Sequence, residues 1–235
     1  LAVVGALLAV GILCIVKIPA VNKEKPCCRS QVFRVAKEGF QVLWREPALL
    51  ALLVISVLYA FIYFPIGTLY PLITMTWFGG GVAESGTVEI IFSVGMLAGS
   101  FLLGIVGGKI RRMNAIVRSI GIYGVCVLIT GLLPPSGLWV FAGLSFIMGM
   151  ANPFFNGVQT AIYQTRIREE YLGRVLSLTS SIGLIAMPLG LLLSGSFAGA
   201  IGVNRWFLLS GIAALVLAVA SALLPSVQKA CRENN

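Results

Sequence analysis

The sequence contains no histidine and no aspartate, and only 11% of its 235 residues are charged. Histidine and aspartate carry much of the proton shuttling, metal binding and triad catalysis of enzymes, so their absence argues against an enzyme and against a metal site. The five cysteines show no metal-ligand spacing, and we interpret them as reduced thiols without a special role. A soluble domain carries roughly 25% charged residues. The low charge, together with a hydrophobic content of 58%, therefore indicates an integral membrane protein.

Methionine is also absent before Met75, so we expect the sequence to begin inside a longer protein. Residues 1–16 form an apolar run without a preceding basic region, which is typical of the end of a membrane span and not of a signal peptide. Residues 17–47 are basic, and their second half has the apolar spacing of an amphipathic helix, lying either at the membrane interface or against cytoplasmic loops. We predict three regions: the end of the last span of a preceding N-terminal half (1–16), a cytoplasmic linker (17–47), and a six-helix transmembrane bundle with a short cytoplasmic tail (48–235).

The long uncharged runs give the number of membrane spans, since one span needs about 20 mostly apolar residues. The run from Ser119 to Thr165 is too long for a single crossing, and the sequence Pro134-Pro135-Ser136-Gly137 provides the break. Six full spans are predicted near residues 48–73, 87–108, 115–133, 138–164, 172–197 and 205–224.

The basic residues set the orientation of these spans. All but one of the 17 Lys and Arg residues lie in residues 17–47, 109–118, 165–174 or the tail, and Arg205 is the exception. Because these are alternate connections, the positive-inside rule places them, with the linker and the C-terminus, in the cytoplasm. The net charge of +9 is therefore a topology signal, and it does not indicate nucleic-acid binding.

Polar side chains follow one face of two predicted spans, each set within an arc of about 60°. The first set is Ser56, Tyr59, Tyr63 and Tyr70, and the second is Asn152, Asn156, Gln159 and Tyr163. Polar groups are costly in lipid, so each stripe should face a cavity or bond to a partner helix, and both interpretations stay open. Uncharged amides and aromatic rings suit a bulky, mostly apolar ligand. The predicted substrate-binding residues are Tyr59, Tyr63, Asn152, Asn156, Gln159 and Tyr163.

Other small and polar residues within the spans have local interpretations. Glycine pairs spaced by four allow helices to approach closely, at Gly95/Gly99, Gly104/Gly108 and Gly195/Gly199. The hydroxyls of Ser177, Thr179, Ser180 and Ser181 can bond to their own helix. Glu84 and Glu89 lie at the outer end of the second span, so no proton-coupling carboxylate is evident from these residues.

Two motifs resemble a known family. The sequence GIVGGKIRRMNAI (104–116) looks like the repeated cytoplasmic motif of the major facilitator superfamily, although Gly108 stands where that motif has an acid. The sequence NPFFNGVQTAIYQTRIREEYLGRVLSL (152–178), followed by PLGLLLSGSFAGAIGV (188–203), strongly resembles the macrolide-efflux and siderophore-exporter branch. The likeness covers about residues 31–225.

The resemblance implies an all-α membrane protein whose six-helix transmembrane bundle is the C-terminal half of a twelve-helix fold, here with the end of one preceding span. It implies alternating access and proton-driven export of a bulky, largely apolar compound such as a macrolide-type drug, with no cofactor beyond the proton gradient. The expected location is the bacterial inner membrane, and the expected partners are the substrate, the lipid bilayer and the N-terminal half. The predicted cytoplasmic gate comprises Lys109, Arg111, Arg112 and Arg174. An uptake permease, a seven-span receptor or signalling protein, and a membrane-embedded enzyme remain as alternatives.

Overall fold

The computed structural model describes residues 47–108 and 110–223, and these residues form six helices and no strand. The helices are α1 (Pro47–Thr76), α2 (Val82–Val106), α3 (Arg112–Leu132), α4 (Leu138–Arg166), α5 (Glu169–Ile201) and α6 (Val203–Leu223). All six are long and apolar enough to cross a membrane. The six predicted full spans are thus confirmed. The preceding partial span, the linker helix and the tail lie outside the described residues.

Local sequence explains where α1 and α2 begin and end. Proline is tolerated at the first position of a helix, where its missing N–H has no partner to lose, and Pro47 stands at the start of α1. Pro65 and Pro71 lie inside α1, which continues through both. After α1, Gly79 has a φ of 64°, a left-handed conformation that favours glycine. The Glu84 carboxylate accepts a hydrogen bond from the Gly81 N–H at 2.8 Å, which caps α2 and explains why it starts several residues before the predicted position.

The predicted break between α3 and α4 is present. Leu133 is extended, with a ψ of 140°, as expected for a residue before proline. The Gly137 N–H then donates to the Pro134 carbonyl at 2.8 Å and closes the turn. One uncharged run of sequence therefore forms two helices.

Contacts at the helix ends agree with the alternation predicted from charge. At one end, Trp77 Nε1 donates to the Leu133 carbonyl at 3.0 Å, and Phe78 stacks on Phe141 with ring centroids 5.2 Å apart. At the other end, Arg112 Nη1 donates to Thr165 Oγ1 at 2.7 Å. The α1–α2 and α3–α4 connections therefore lie at one end of the bundle, and the α2–α3 connection lies at the other with the end of α4.

The helix α2 packs mainly against α4, and glycine makes this crossing close. A Cβ atom at Gly95 or Gly99 would collide with a backbone carbonyl oxygen of α4, and one at Gly149 would collide with the Phe92 carbonyl oxygen of α2. The two backbones therefore touch directly, as small residues in membrane helices allow.

The other predicted glycine pairs differ from this one. No atom lies within 4 Å of the position that a Cβ would take at Gly104 or Gly108, so this pair mediates no helix contact among the described residues. The surroundings of Gly195 and Gly199 are outside the described part of the structure. One of the three glycine pairs spaced by four therefore lies at a close helix crossing, and the spacing alone did not show which pair it would be.

Candidate functional site

A cavity of about 410 Å³, here called the amide cavity, lies between α1, α4 and α5. It is lined by all six residues predicted to bind substrate: Tyr59, Tyr63, Asn152, Asn156, Gln159 and Tyr163. The structure thus brings the second stripe together with all of the first except Tyr70, although the two lie about 90 residues apart in the sequence. Their role in substrate binding stays a prediction.

The amides of α4 are hydrogen-bonded around this cavity. Gln159 Nε2 donates to Ser56 Oγ of α1 at 2.5 Å and to Tyr163 Oη at 3.2 Å. Asn156 Nδ2 donates to Asn152 Oδ1 at 2.9 Å. Gln159 is buried, whereas Asn156 is exposed at the mouth of the cavity. Cavity lining and bonding between helices therefore occur together, so the two interpretations do not exclude each other.

Aromatic rings form the wall of the amide cavity on the α1 side. The Tyr59 ring lies 4.2 Å from the Phe155 ring and 5.7 Å from the Tyr63 ring, measured between centroids. Behind them, the buried Tyr123 of α3 contacts Tyr59 at 5.6 Å and Tyr63 at 5.5 Å. Sequence analysis missed Tyr123 and Phe155. A tyrosine in the middle of a predicted span was the available signal for Tyr123.

The third wall of the amide cavity is α5, which sequence analysis did not assign to the site. Thr179 and Ser180 both line the cavity. Thr179 Oγ1 donates to the Val175 carbonyl at 3.0 Å, and Ser181 Oγ donates to the Ser177 carbonyl at 2.8 Å. The helix-internal interpretation thus holds for Thr179 and Ser181.

The chemistry of the amide cavity is uncharged. Among the described residues its lining consists of amide, hydroxyl, aromatic and aliphatic groups, without an acid or a base. In the same part of the chain, no group of three Cys or acidic side chains lies close enough to hold a metal. Such a surface binds a large, mostly apolar molecule through shape and a few hydrogen bonds.

The structure describes three of the four residues predicted at the cytoplasmic gate, since Lys109 lies outside the described residues. Arg112 ties the start of α3 to the end of α4 through its hydrogen bond to Thr165. Arg111 directly precedes α3, and the Arg174 guanidinium lies 5.6 Å from the centre of the Tyr171 ring on its own helix. Arg112 therefore contacts a neighbouring helix, and the gating role of the set stays a prediction.

Comparison with known proteins agrees with the fold and with the resemblance in the motifs. Residues 52–234 match the family model for the Major Facilitator Superfamily. The chain is 43% identical to macrolide efflux protein A of Streptococcus pyogenes over 227 residues, covering 97% of this chain and 56% of that protein. It is 44% identical to macrolide efflux protein A of Enterococcus faecalis over 189 residues, covering 80% of this chain and 58% of that protein.

A more distant relative is the multidrug efflux pump Tap of Mycolicibacterium fortuitum, which is 27% identical over 197 residues, or 82% of this chain and 46% of that protein. The chain spans about half the length of the curated relatives it matches. The family match covers most of the chain, including nearly all of the six apolar helices. The chain is a multi-pass integral membrane protein, and it belongs to the Major Facilitator Superfamily.

Proposed function

We propose that the chain is the C-terminal half of a secondary active transporter that exports bulky, largely apolar compounds, such as macrolides, by alternating access. The observation that carries this proposal is the uncharged, aromatic and amide-lined cavity between α1, α4 and α5. Its volume of about 410 Å³ is within the range of sites for drug-sized ligands. The relatives named macrolide efflux protein A support the substrate class.

The position of the amide cavity fits a transporter built from two halves. Such proteins hold their substrate near the middle of the membrane, between the halves, while the halves rock against each other. The exposed Asn156 at the cavity mouth is where a preceding half would contact the substrate. The chain spans only 56% of the length of macrolide efflux protein A of Streptococcus pyogenes, which supports the existence of that half.

The energy source and the location belong to the same proposal. The proton gradient would drive export, in keeping with the resemblance to the efflux branch. The basic connections would face the cytoplasm of a bacterium, with the protein in the inner membrane, because the charge asymmetry follows the positive-inside rule. Arg112, which ties α3 to α4, would then belong to the cytoplasmic gate.

The test is macrolide accumulation in cells that express the intact protein. We expect cells with the wild type to accumulate less macrolide than cells without it. Replacing Asn156 and Gln159 by leucine should abolish most of this difference, because the cavity loses its central hydrogen-bonding groups. Gln164→Leu is the matched control, since Gln164 is an exposed amide on the same helix that does not line the cavity.

Wild-type export by the double leucine variant would contradict the cavity assignment. Higher accumulation with the wild type than without it would instead favour the uptake permease. Membership of a transporter superfamily argues against the receptor and enzyme alternatives.

A further inference from the structure

A second cavity of about 230 Å³, here called the carboxylate cavity, lies between α1, α2 and α3. Its lining combines one acidic side chain with aromatic rings: Glu89, Ser93, Tyr63, Tyr70, Phe92 and Tyr123. Ser93 Oγ already donates to the Glu89 backbone carbonyl at 2.9 Å. Apart from tyrosine hydroxyls, the Glu89 carboxylate is therefore the polar group that the lining offers to a ligand, and it is the charged one.

The depth of Glu89 makes its charge unusual. The 25 residues of α2 extend over about 37 Å, longer than the roughly 30 Å hydrocarbon core of a bilayer. Glu89 is seven residues into this helix, about 10 Å from its start, and its side chain is exposed on the surface of the bundle, so its carboxylate lies near the outer edge of the apolar layer. A carboxylate there is costly and needs a favourable partner. No basic side chain among the described residues forms an ion pair with it.

The rings that line the carboxylate cavity together with Glu89 are held in place by contacts with one another. Tyr70 and Phe92 meet edge to face with centroids 5.8 Å apart, and Tyr63 and Tyr123 meet at 5.5 Å. Tyr70 is further fixed by its hydroxyl, which donates to Met148 Sδ at 3.5 Å. Aromatic faces attract a cation within about 6 Å, and they do so best where water is excluded. A carboxylate among such rings matches a substituted ammonium or another organic cation.

Tyr63 connects the two cavities. Along α1, residues 53–64 line the amide cavity and residues 63–70 line the carboxylate cavity, so Tyr63 lines both. The amide cavity extends toward Tyr163, near the end of α4 that Arg112 contacts. The carboxylate cavity extends toward the opposite end of the bundle, where Tyr70 and Glu89 lie. The two cavities therefore follow each other across the membrane, with Tyr63 between them.

We infer that Glu89 and the surrounding rings form a binding site for the cationic group of an exported compound, on the outer side of Tyr63. The inference rests on the proposed export function and adds a second binding site to the export path. The small volume of this cavity fits a charged substituent better than a whole drug-sized molecule. A compound that carries a cationic group would then be held by shape in the amide cavity and by charge beyond Tyr63.

The test measures binding of benzyltrimethylammonium, a permanently charged cation with a small trimethylammonium group, to the purified intact protein in lipid nanodiscs. Glu89→Gln removes the charge and keeps the shape, and we expect the dissociation constant to rise about tenfold or more. Glu84→Gln is the matched control, because Glu84 is an acid on the same helix outside both cavities. It should change the dissociation constant by less than about twofold. Glu89→Asp keeps the charge and should retain most of the binding.

The outcomes separate this site from its alternatives. Absence of benzyltrimethylammonium binding to the wild type, or equal affinities for Glu89→Gln and Glu84→Gln, would overturn the inference. If Glu89→Gln keeps its affinity for the cation but loses macrolide export, the carboxylate serves proton coupling or pairs with the preceding half, and the inference also fails. Failure of the wild type to export a macrolide would count against the proposed function itself, which is a separate result.

Discussion

The amide cavity and the carboxylate cavity share Tyr63, yet they differ in how the bundle satisfies their polar groups. In the amide cavity, Gln159 and Asn156 bond to neighbouring side chains of the same bundle. In the carboxylate cavity, Glu89 has no ion-pair partner among the described residues. Amides that are hydrogen-bonded within the bundle need no ligand in the membrane, whereas the exposed carboxylate of Glu89 is available to a cation. The first cavity is therefore suited to neutral surfaces and the second to charge.

The largest expected effect comes from the crossing that holds α2 against α4. Gly149 lies against the backbone of Phe92, which lines the carboxylate cavity. Gly149→Leu should prevent the helices from approaching, and we expect loss of folded protein in size-exclusion chromatography because overpacking the backbone cannot be relieved by rotamer changes. Gly143→Leu is the control, since Gly143 on the same helix has no neighbouring atom within 4 Å. Equal amounts of folded protein from both variants would contradict the close crossing.

A change at the shared residue should affect both cavities. Tyr63→Ala removes a ring that contacts Tyr59 and Tyr123. We expect macrolide export and benzyltrimethylammonium affinity each to fall about tenfold, because both cavities lose a wall. Tyr63→Phe keeps the ring and should stay close to the wild type in both assays. If only one property falls in Tyr63→Ala, the two cavities do not form one path.

A smaller effect is expected from the hydrogen bond that joins α1 to α4. Ser56→Ala removes the acceptor of Gln159 but leaves Tyr163 as its other partner. We expect the free energy of unfolding to fall by about 1 kcal/mol, the usual value for one such bond. Thermal unfolding in detergent measures this change, and benzyltrimethylammonium affinity should not change because Ser56 is absent from the lining of the carboxylate cavity. A lowered cation affinity would show that Ser56, in the amide cavity, also affects binding in the carboxylate cavity.

The smallest effect is expected at the junction of α4 and α5, where the exposed charged residues line neither cavity. Arg168 and Glu170 are 3.8 Å apart, and their side chains are 79% and 69% exposed. An exposed pair of this kind contributes little, so Arg168→Gln should leave the unfolding temperature and macrolide export unchanged within error. A marked loss of export would indicate that this turn takes part in gating.

Sequence periodicity identified the amide cavity because each stripe lies within one helix. Helix periodicity alone places Asn156, Gln159 and Tyr163 on one face. The absence of water in the lipid likewise requires the charges of residues 165–174 to lie outside the membrane. The spans and the fold class followed from the same constraint. Which helices become neighbours, in contrast, depends on packing between distant segments.

The residues that sequence analysis missed are those that need this packing. Tyr123 packs behind the amide cavity and lines the carboxylate cavity only because α3 places it against Tyr59 and Tyr63. Glu89 was expected at the outer end of the second span, but the sequence did not show that it shares a cavity with rings of α1 and α3. The capping by Glu84 extends α2 by more than a helical turn before its predicted start.

The most direct measurement of the central claim is a cryo-electron microscopy structure of the intact protein with a bound macrolide. If the substrate binds in the amide cavity, ligand density will lie between α1 and α4, in contact with Gln159 and the Tyr59 and Tyr63 rings. Density on the lipid-facing surface of the bundle, or away from both α1 and α4, would contradict it.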